Sequence, residues 1–212
     1  MSKKVCNEQY DFVLRNIEAC NALIECHEEA SDKIPTWINK KFEKSIKNNL
    51  EDIEILKFKV FYSKHKDDES VIIDPISPCC DSGNNIGLRF ALESIDWYYL
   101  TDNECDYCPL VYLYMNIPGK TTAKYKKALE QYRLDVINKA GAISASAKQN
   151  GYFTGSPIGY DDDNYIIYKR LDKIINRVNL CDDYETVISD ATAEIVKFVK
   201  YVIESDLLLP MP

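Results

Sequence analysis

The stretch Pro109 to Ile117, PLVYLYMNI, limits the fold of this chain more than any other segment. Successive side chains of a strand point to opposite faces. Val111, Leu113, Met115 and Ile117 therefore share one face, and Leu110, Tyr112 and Tyr114 share the other. Both faces are apolar or aromatic, which predicts a central strand of a sheet covered on both sides.

The neighbouring segments supply the sheet and its cover. Residues 8 to 30 carry Val13, Ile17, Cys20, Ile24 and His27 at helical spacing and predict a first helix. Asp32 to Pro35 is expected to end it, because proline restricts the residue before it and cannot continue the helix. Thr36 is the expected N-cap of a second, lysine-rich helix to about Leu50, with Trp37, Ile38, Phe42 and Ile46 turned inward. From Ile53 to Lys64 the period drops to two, with Leu56, Phe58, Val60 and Tyr62 on one face of a strand. KHKDDES reads as a turn and VIIDPIS as the returning strand of a hairpin. IGLRFALESIDWYYL reads either as one bent strand or as two, and SPCCDSGNN before it as loop.

After the central strand, Tyr125, Ala128, Leu129, Tyr132, Val136, Ile137 and Ala140 form one stripe of a helix over residues 121 to about 140. AGAISASAKQNG either extends that helix or forms a loop, with Gly151 as its stop. A strand follows in which Tyr165, Ile167 and Lys169 alternate with Ile166, Tyr168 and Arg170. Residues 184 to 206 form a closing amphipathic helix through Val187, Ile188, Ala191, Ile195, Phe198, Val199 and Val202. There is no internal repeat and no linker. The expected architecture is one α+β domain over residues 1–212, with a helical portion over 1–50 and a sheet-containing core over 51–212. Its sheet is mainly antiparallel or mixed, of about five strands, and carries two N-terminal helices, one long central helix and a C-terminal helix.

With 46% hydrophobic and 28% charged residues, the 212-residue chain has ordinary globular composition. It starts without a signal-like apolar stretch, and its apolar runs are too short to cross a bilayer, so a cytoplasmic location and no membrane partner are expected. In a reducing compartment the eight scattered cysteines are expected to be thiols. The formal net charge of −8 opposes nucleic acid and anionic membranes on average. Residues 35 to 50 nevertheless hold Lys40, Lys41, Lys44 and Lys47 against Glu43, and residues 118 to 150 carry seven cations against two carboxylates.

The chemical motifs are incomplete. Cys105-x-x-Cys108 is the zinc alternative, with Cys79 and Cys80, or the distant Cys20, Cys26 and His27, as the other half. A proline and an apolar strand follow Cys108, where a knuckle typically has a glycine that turns backbone amides toward sulfur. Gly119-Lys120-Thr121-Thr122 lies between a strand and a helix, but a phosphate loop needs a further glycine where Tyr114 stands, so a helix cap is the expected role. His27 and His65 are the only histidines, and neither adjoins a nucleophile motif. No catalytic residues, metal or cofactor are expected.

The order helix, strands, basic helix, strand resembles that of restriction-enzyme-like nucleases, with Asp74 as a candidate first acid. That resemblance implies an acid-x-lysine on the following strand to hold magnesium beside the scissile phosphate, and residues 109 to 117 contain neither an acid nor a lysine. The reading best matched to composition is a non-enzymatic protein-binding module of adaptor, inhibitor or immunity type, facing a basic protein partner. Tyr160, Asp161, Asp162, Asp163 and Tyr165 are its candidate surface. The alternative is a nuclease or binder acting on nucleic acid or a phosphorylated ligand through the basic helix, with Lys120, Lys124, Lys127 and Arg133 as the anion contacts.

Overall fold

The computed structural model describes residues 15–51, 53, 56–65, 68–76, 87–93, 95, 109–116, 123–157 and 164–208. Within them the order is α1 (Ile17–Leu50), β1 (Lys57–His65), β2 (Asp68–Ile76), β3 (Gly87–Glu93), β4 (Leu110–Asn116), α2 (Ala123–Ala142), α3 (Ser144–Gln149), β5 (Phe153–Thr154), β6 (Tyr165–Arg170) and α4 (Arg177–Glu204). The six strands form one sheet in the order β1-β2-β3-β4-β6-β5, and every neighbouring pair is antiparallel. The fold is α+β, with six strands where about five were expected. β4 lies inside the sheet between β3 and β6, as its two apolar faces require.

One face of the sheet carries the main core. Val60, Val71, Ile73, Phe90, Leu92, Val111, Leu113 and Ile167 from the strands meet Phe42 and Ile46 of α1, Tyr132 and Val136 of α2, and Ile195, Phe198 and Val202 of α4. Phe90 is the centre of an edge-to-face chain, 6.5 Å from Phe58 and 6.1 Å from Phe198, and Phe198 continues it to Tyr152 at 5.4 Å. α4 runs parallel to α1: Tyr184 packs on Trp37 at 4.9 Å, and eight residues further along each helix Thr192 donates to Ser45 at 2.9 Å.

Three local readings are corrected. The two expected N-terminal helices are a single 34-residue helix that passes through Pro35, and Thr36 lies inside it rather than at a cap. An interior proline withholds one N–H and crowds the carbonyl four residues earlier, at a cost of about 3 kcal/mol. Tertiary contacts offset this. Pro35 is buried, and the fully buried Asn39 clamps the site. Its Nδ2 donates to the Pro35 carbonyl at 2.9 Å and to the Ile95 carbonyl at 3.2 Å, while its Oδ1 accepts from the Ile95 N–H at 3.3 Å. Asn39→Leu strands both groups of Ile95 in the core and is expected to lower the unfolding free energy by about 1–3 kcal/mol. Urea unfolding checks this, and a loss under about 0.5 kcal/mol, the scatter of neutral surface changes, would show the clamp to be dispensable.

β6 does not alternate as expected. Its register on β4 shifts between Leu113 and Tyr114, so that Leu113 faces Ile167 while Tyr114 faces Tyr165. Ile166 is the extra residue of a bulge, and both Ile166 and Ile167 join the helix-side core. Tyr165 and Tyr168, three apart, thereby reach the same opposite face. The closing helix begins at Arg177, earlier than expected, and Asn176 caps it by accepting from Asn179 N–H at 2.9 Å. It breaks at Asp183, whose carboxylate accepts from the Thr186 N–H (3.1 Å) and hydroxyl (2.7 Å) and so restarts the helix at the expected position. Residues 144–149 extend the central helical region as α3, and Gly151 stops it at φ +76°.

Candidate functional site

The opposite face of the sheet is built by strand parity. Outward residues of adjacent strands fall into cross-strand rows, because each register pairs them directly. One row runs Lys59, Asp74, Arg89, Tyr114 and Tyr165 from β1 to β6. The next runs Phe61, Ile72, Ala91, Tyr112, Tyr168 and Phe153 from β1 to β5. Ile72, Ala91, Leu110 and Tyr112 are the buried centre of this face, with Phe61, Tyr114, Tyr165 and Tyr168 packed around them. No residue of a described helix belongs to this cluster.

The β4–β6–β5 end carries two neighbouring aromatic groups. Tyr112 lies 4.7 Å from Tyr165 and 5.5 Å from Tyr114, and Phe153 stacks on Tyr168 at 5.4 Å with 24° between the rings. Tyr114, Tyr165 and Tyr168 are half-buried and Phe153 is exposed. Tyrosine suits such a place because its ring packs while its hydroxyl stays hydrated.

The β1–β2–β3 end of the same face is charged. Arg89 Nε meets Asp74 Oδ1 at 2.7 Å, with the Asp74 side chain almost wholly buried and Arg89 a quarter exposed. Burial holds the Asp74 carboxyl above the ordinary carboxylate range, against the opposing pull of Arg89 and Lys59. Lys59 also lies 5.3 Å from the Phe61 ring. Asp74, the candidate first acid of the nuclease reading, is therefore held in an ion pair with Arg89.

A second charged group sits on the helix side. Lys169 Nζ contacts Glu194 at 2.5 Å and lies 5.1 Å from the Tyr152 ring, and Lys197 contacts the same carboxylate at 2.6 Å. The hydrogen bonds from Lys169 and Lys197 hold the Glu194 carboxyl below its ordinary range. This group ties β6 to α4 across the core.

The expected site residues are distributed unevenly. Tyr165 lies on the aromatic face, whereas Tyr160, Asp161, Asp162 and Asp163 fall outside the described residues, as do Lys120, Cys79, Cys80, Cys105 and Cys108. The chain re-enters the described residues at Asn164, whose carbonyl accepts from the Met115 N–H at 3.1 Å beside the Tyr114–Tyr165 pair. Of the basic-helix candidates, Lys124 lies in the first turns of α2, Lys127 is exposed on it, and Arg133 faces Glu130 at 3.5 Å within the same helix. Among the described residues no cluster of three or more His, Cys, Asp or Glu side chains is placed to hold a metal ion, and no helix is long and apolar enough to cross a membrane. Phe153, Tyr168 and the Asp74–Arg89 pair were not expected at a site. Neither the bulge that turns Tyr168 outward nor the registers that join these residues were readable in the local pattern.

No protein-family model, curated protein or solved structure matches this chain.

Proposed function

We propose that the chain is a non-enzymatic protein-binding module of adaptor, inhibitor or immunity type, and that the β4–β6–β5 aromatic face is its docking surface for a basic protein partner. The observation that carries this reading is the ring group Tyr114, Tyr112 and Tyr165, with the stacked pair Tyr168 and Phe153 in the adjoining register, on a sheet face whose core cluster contains no residue of a described helix. Aromatic side chains at an interface supply large contact area at low entropic cost, and a surrounding charge sets partner choice and encounter rate. The acidic run Asp161 to Asp163 stands two residues before Tyr165 in sequence, and the net charge of −8 has the sign a basic partner requires.

The test is affinity capture from host extract followed by quantitation with purified partner. Phe153→Ala with Tyr168→Ala is expected to weaken the recovered partner by roughly tenfold or more, the scale of an aromatic hot spot. Asp161→Ser, Asp162→Ser and Asp163→Ser together are expected to slow association and flatten its salt dependence. Unchanged affinity and salt dependence in both variants would overturn the proposal.

A further inference from the structure

β1 is an edge of the sheet. It has β2 on one side and no described strand on the other, so alternate N–H and C=O groups along its nine residues face away from the ladder. An open edge of that length is a template for one further strand. It lies at the end of the sheet opposite β6 and β5, and so is independent of the aromatic surface proposed above.

α1 runs antiparallel to β1 and flanks this edge. Lys64 Nζ donates to Thr36 Oγ1 at 3.5 Å near one end, and Lys47 and Leu50 of α1 share a cavity with Lys57 and Phe58 of β1 at the other. Thr36, Lys40, Glu43 and Lys47 recur at three- and four-residue spacing and form the flank of α1 that follows β1. The core side of the helix carries Phe42 and Ile46 instead, and its α4 side carries Trp37 and Ser45.

This strip is basic in an acidic protein. Residues 36 to 65 hold seven lysines against Glu43, Glu51, Asp52 and Glu54, an excess of three in a chain whose net charge is −8. Lys40, Lys44, Lys47 and Lys57 are exposed, and among the described residues none of them stands in an ion pair. Lys59 and Lys64 are exposed too, opposite Asp74 and Glu69 of β2. The cavity at the Lys57 end measures about 280 Å³, and Leu50, Phe58 and Val60 supply apolar wall beside Lys47, Glu51 and Lys57. That is below the roughly 300–1,000 Å³ of small-molecule sites and suits a single apolar side chain.

We propose that β1 takes up an extended acidic segment of a protein partner as an additional strand, with an apolar residue of that segment seated in the cavity. Charge selects this occupant. Edge lysines deter a neutral or basic strand, whereas a strand carrying carboxylates gains from the same lysines. A second copy of β1 would add its own Lys57, Lys59 and Lys64 to the strip, which opposes self-pairing. Nucleic acid has the right charge, but it offers no strand ladder to the open N–H and C=O groups, and the acidic remainder of the chain repels it.

Fluorescence anisotropy of the full chain with a labelled ten-residue peptide of alternating glutamate and valine tests this. Saturable binding is expected, weakening as salt is raised. An alternating lysine–valine peptide is expected not to bind, and a glutamate–serine peptide, which keeps the charge without an apolar anchor, to bind roughly tenfold more weakly. Lys40→Glu with Lys57→Glu is expected to weaken the glutamate–valine peptide by roughly tenfold with an unchanged circular dichroism spectrum, since both side chains are exposed. Strand pairing is read from two further peptides, N-methylated at every valine or at every glutamate. Only one alternate set of amides can face β1, so one of the two is expected to lose binding. No binding of the glutamate–valine peptide, equal affinity in the double variant, binding that survives both methylation patterns, or equally tight binding of oligothymidylate would each overturn the proposal.

Discussion

Phe198→Ala is expected to lower the unfolding free energy by about 3–5 kcal/mol, a large share of the roughly 5–15 kcal/mol that holds a typical domain together. Phe198 is fully buried in α4 and lies edge-to-face with both Phe90 and Tyr152, so one truncation opens a cavity between the helix layer and the middle of the sheet. The rings can close around it only by moving β3 and the residue before β5 at once, and they belong to strands held in register by their neighbours. Chemical unfolding should show the midpoint fall with little change in slope. Phe198→Leu, which keeps most of the volume, should lose much less. Equal losses for both variants would indicate that ring geometry, not cavity volume, sets the cost.

Arg89→Met should be the most damaging change on the opposite face, at about 3 kcal/mol near neutral pH, because it leaves the buried Asp74 carboxylate without its close partner. The effect has a defined pH dependence. Burial already raises the Asp74 pKa above its unfolded value of 3.8, so the folded chain binds the proton more tightly than the unfolded chain. Stability from this residue is then greatest below the unfolded pKa and falls as pH rises through the folded one. Removing Arg89 takes away an opposing attraction and raises the folded pKa further. The deficit of Arg89→Met should therefore shrink in acid and grow toward neutrality. Asp74→Leu combined with Arg89→Met removes both charges and is expected to return to within about 1 kcal/mol of the wild type, or to exceed it. A pH-independent deficit, or a double variant as unstable as the single one, would show that the ion pair is not what matters there.

Much of the scaffold was legible in local patterns. The two apolar faces of residues 110–116 required an interior strand, and β4 is one. The stripe Leu129, Tyr132, Val136 and Ala140 required a buried helix face, and all four side chains are buried. The hairpin of β1 and β2 followed from a change of period and a charged turn. Each of these features repeats over several residues, so one local exception does not erase it.

Pro35 was misread because helix propensity is a local quantity, whereas its compensation comes from Ile95, distant in sequence and held by Asn39. The candidate site was legible only in fragments. Tyr112 and Tyr114 were read onto one face of the central strand and Tyr165 onto the candidate surface, but the bulge at Ile166 decides that Tyr165 and Tyr168 share a face, and no periodicity announces a bulge. The ion pair of Asp74 and Arg89 depends on the β2–β3 register, which is set by how the two strands bury Val71, Ile73, Phe90 and Leu92 together.

The amino-acid sequence by itself thus determined the interior place of β4, the buried stripe of α2 and the β1–β2 hairpin, because these depend on side-chain period over a few neighbouring residues. The tertiary structure alone decided that α1 continues through Pro35, that the described helices of the core gather on one side of the sheet, and that Tyr112, Tyr114, Tyr165 and Tyr168 assemble on the other. Those outcomes depend on contacts between residues far apart in the chain, whose energies exist only once the sheet has closed its register.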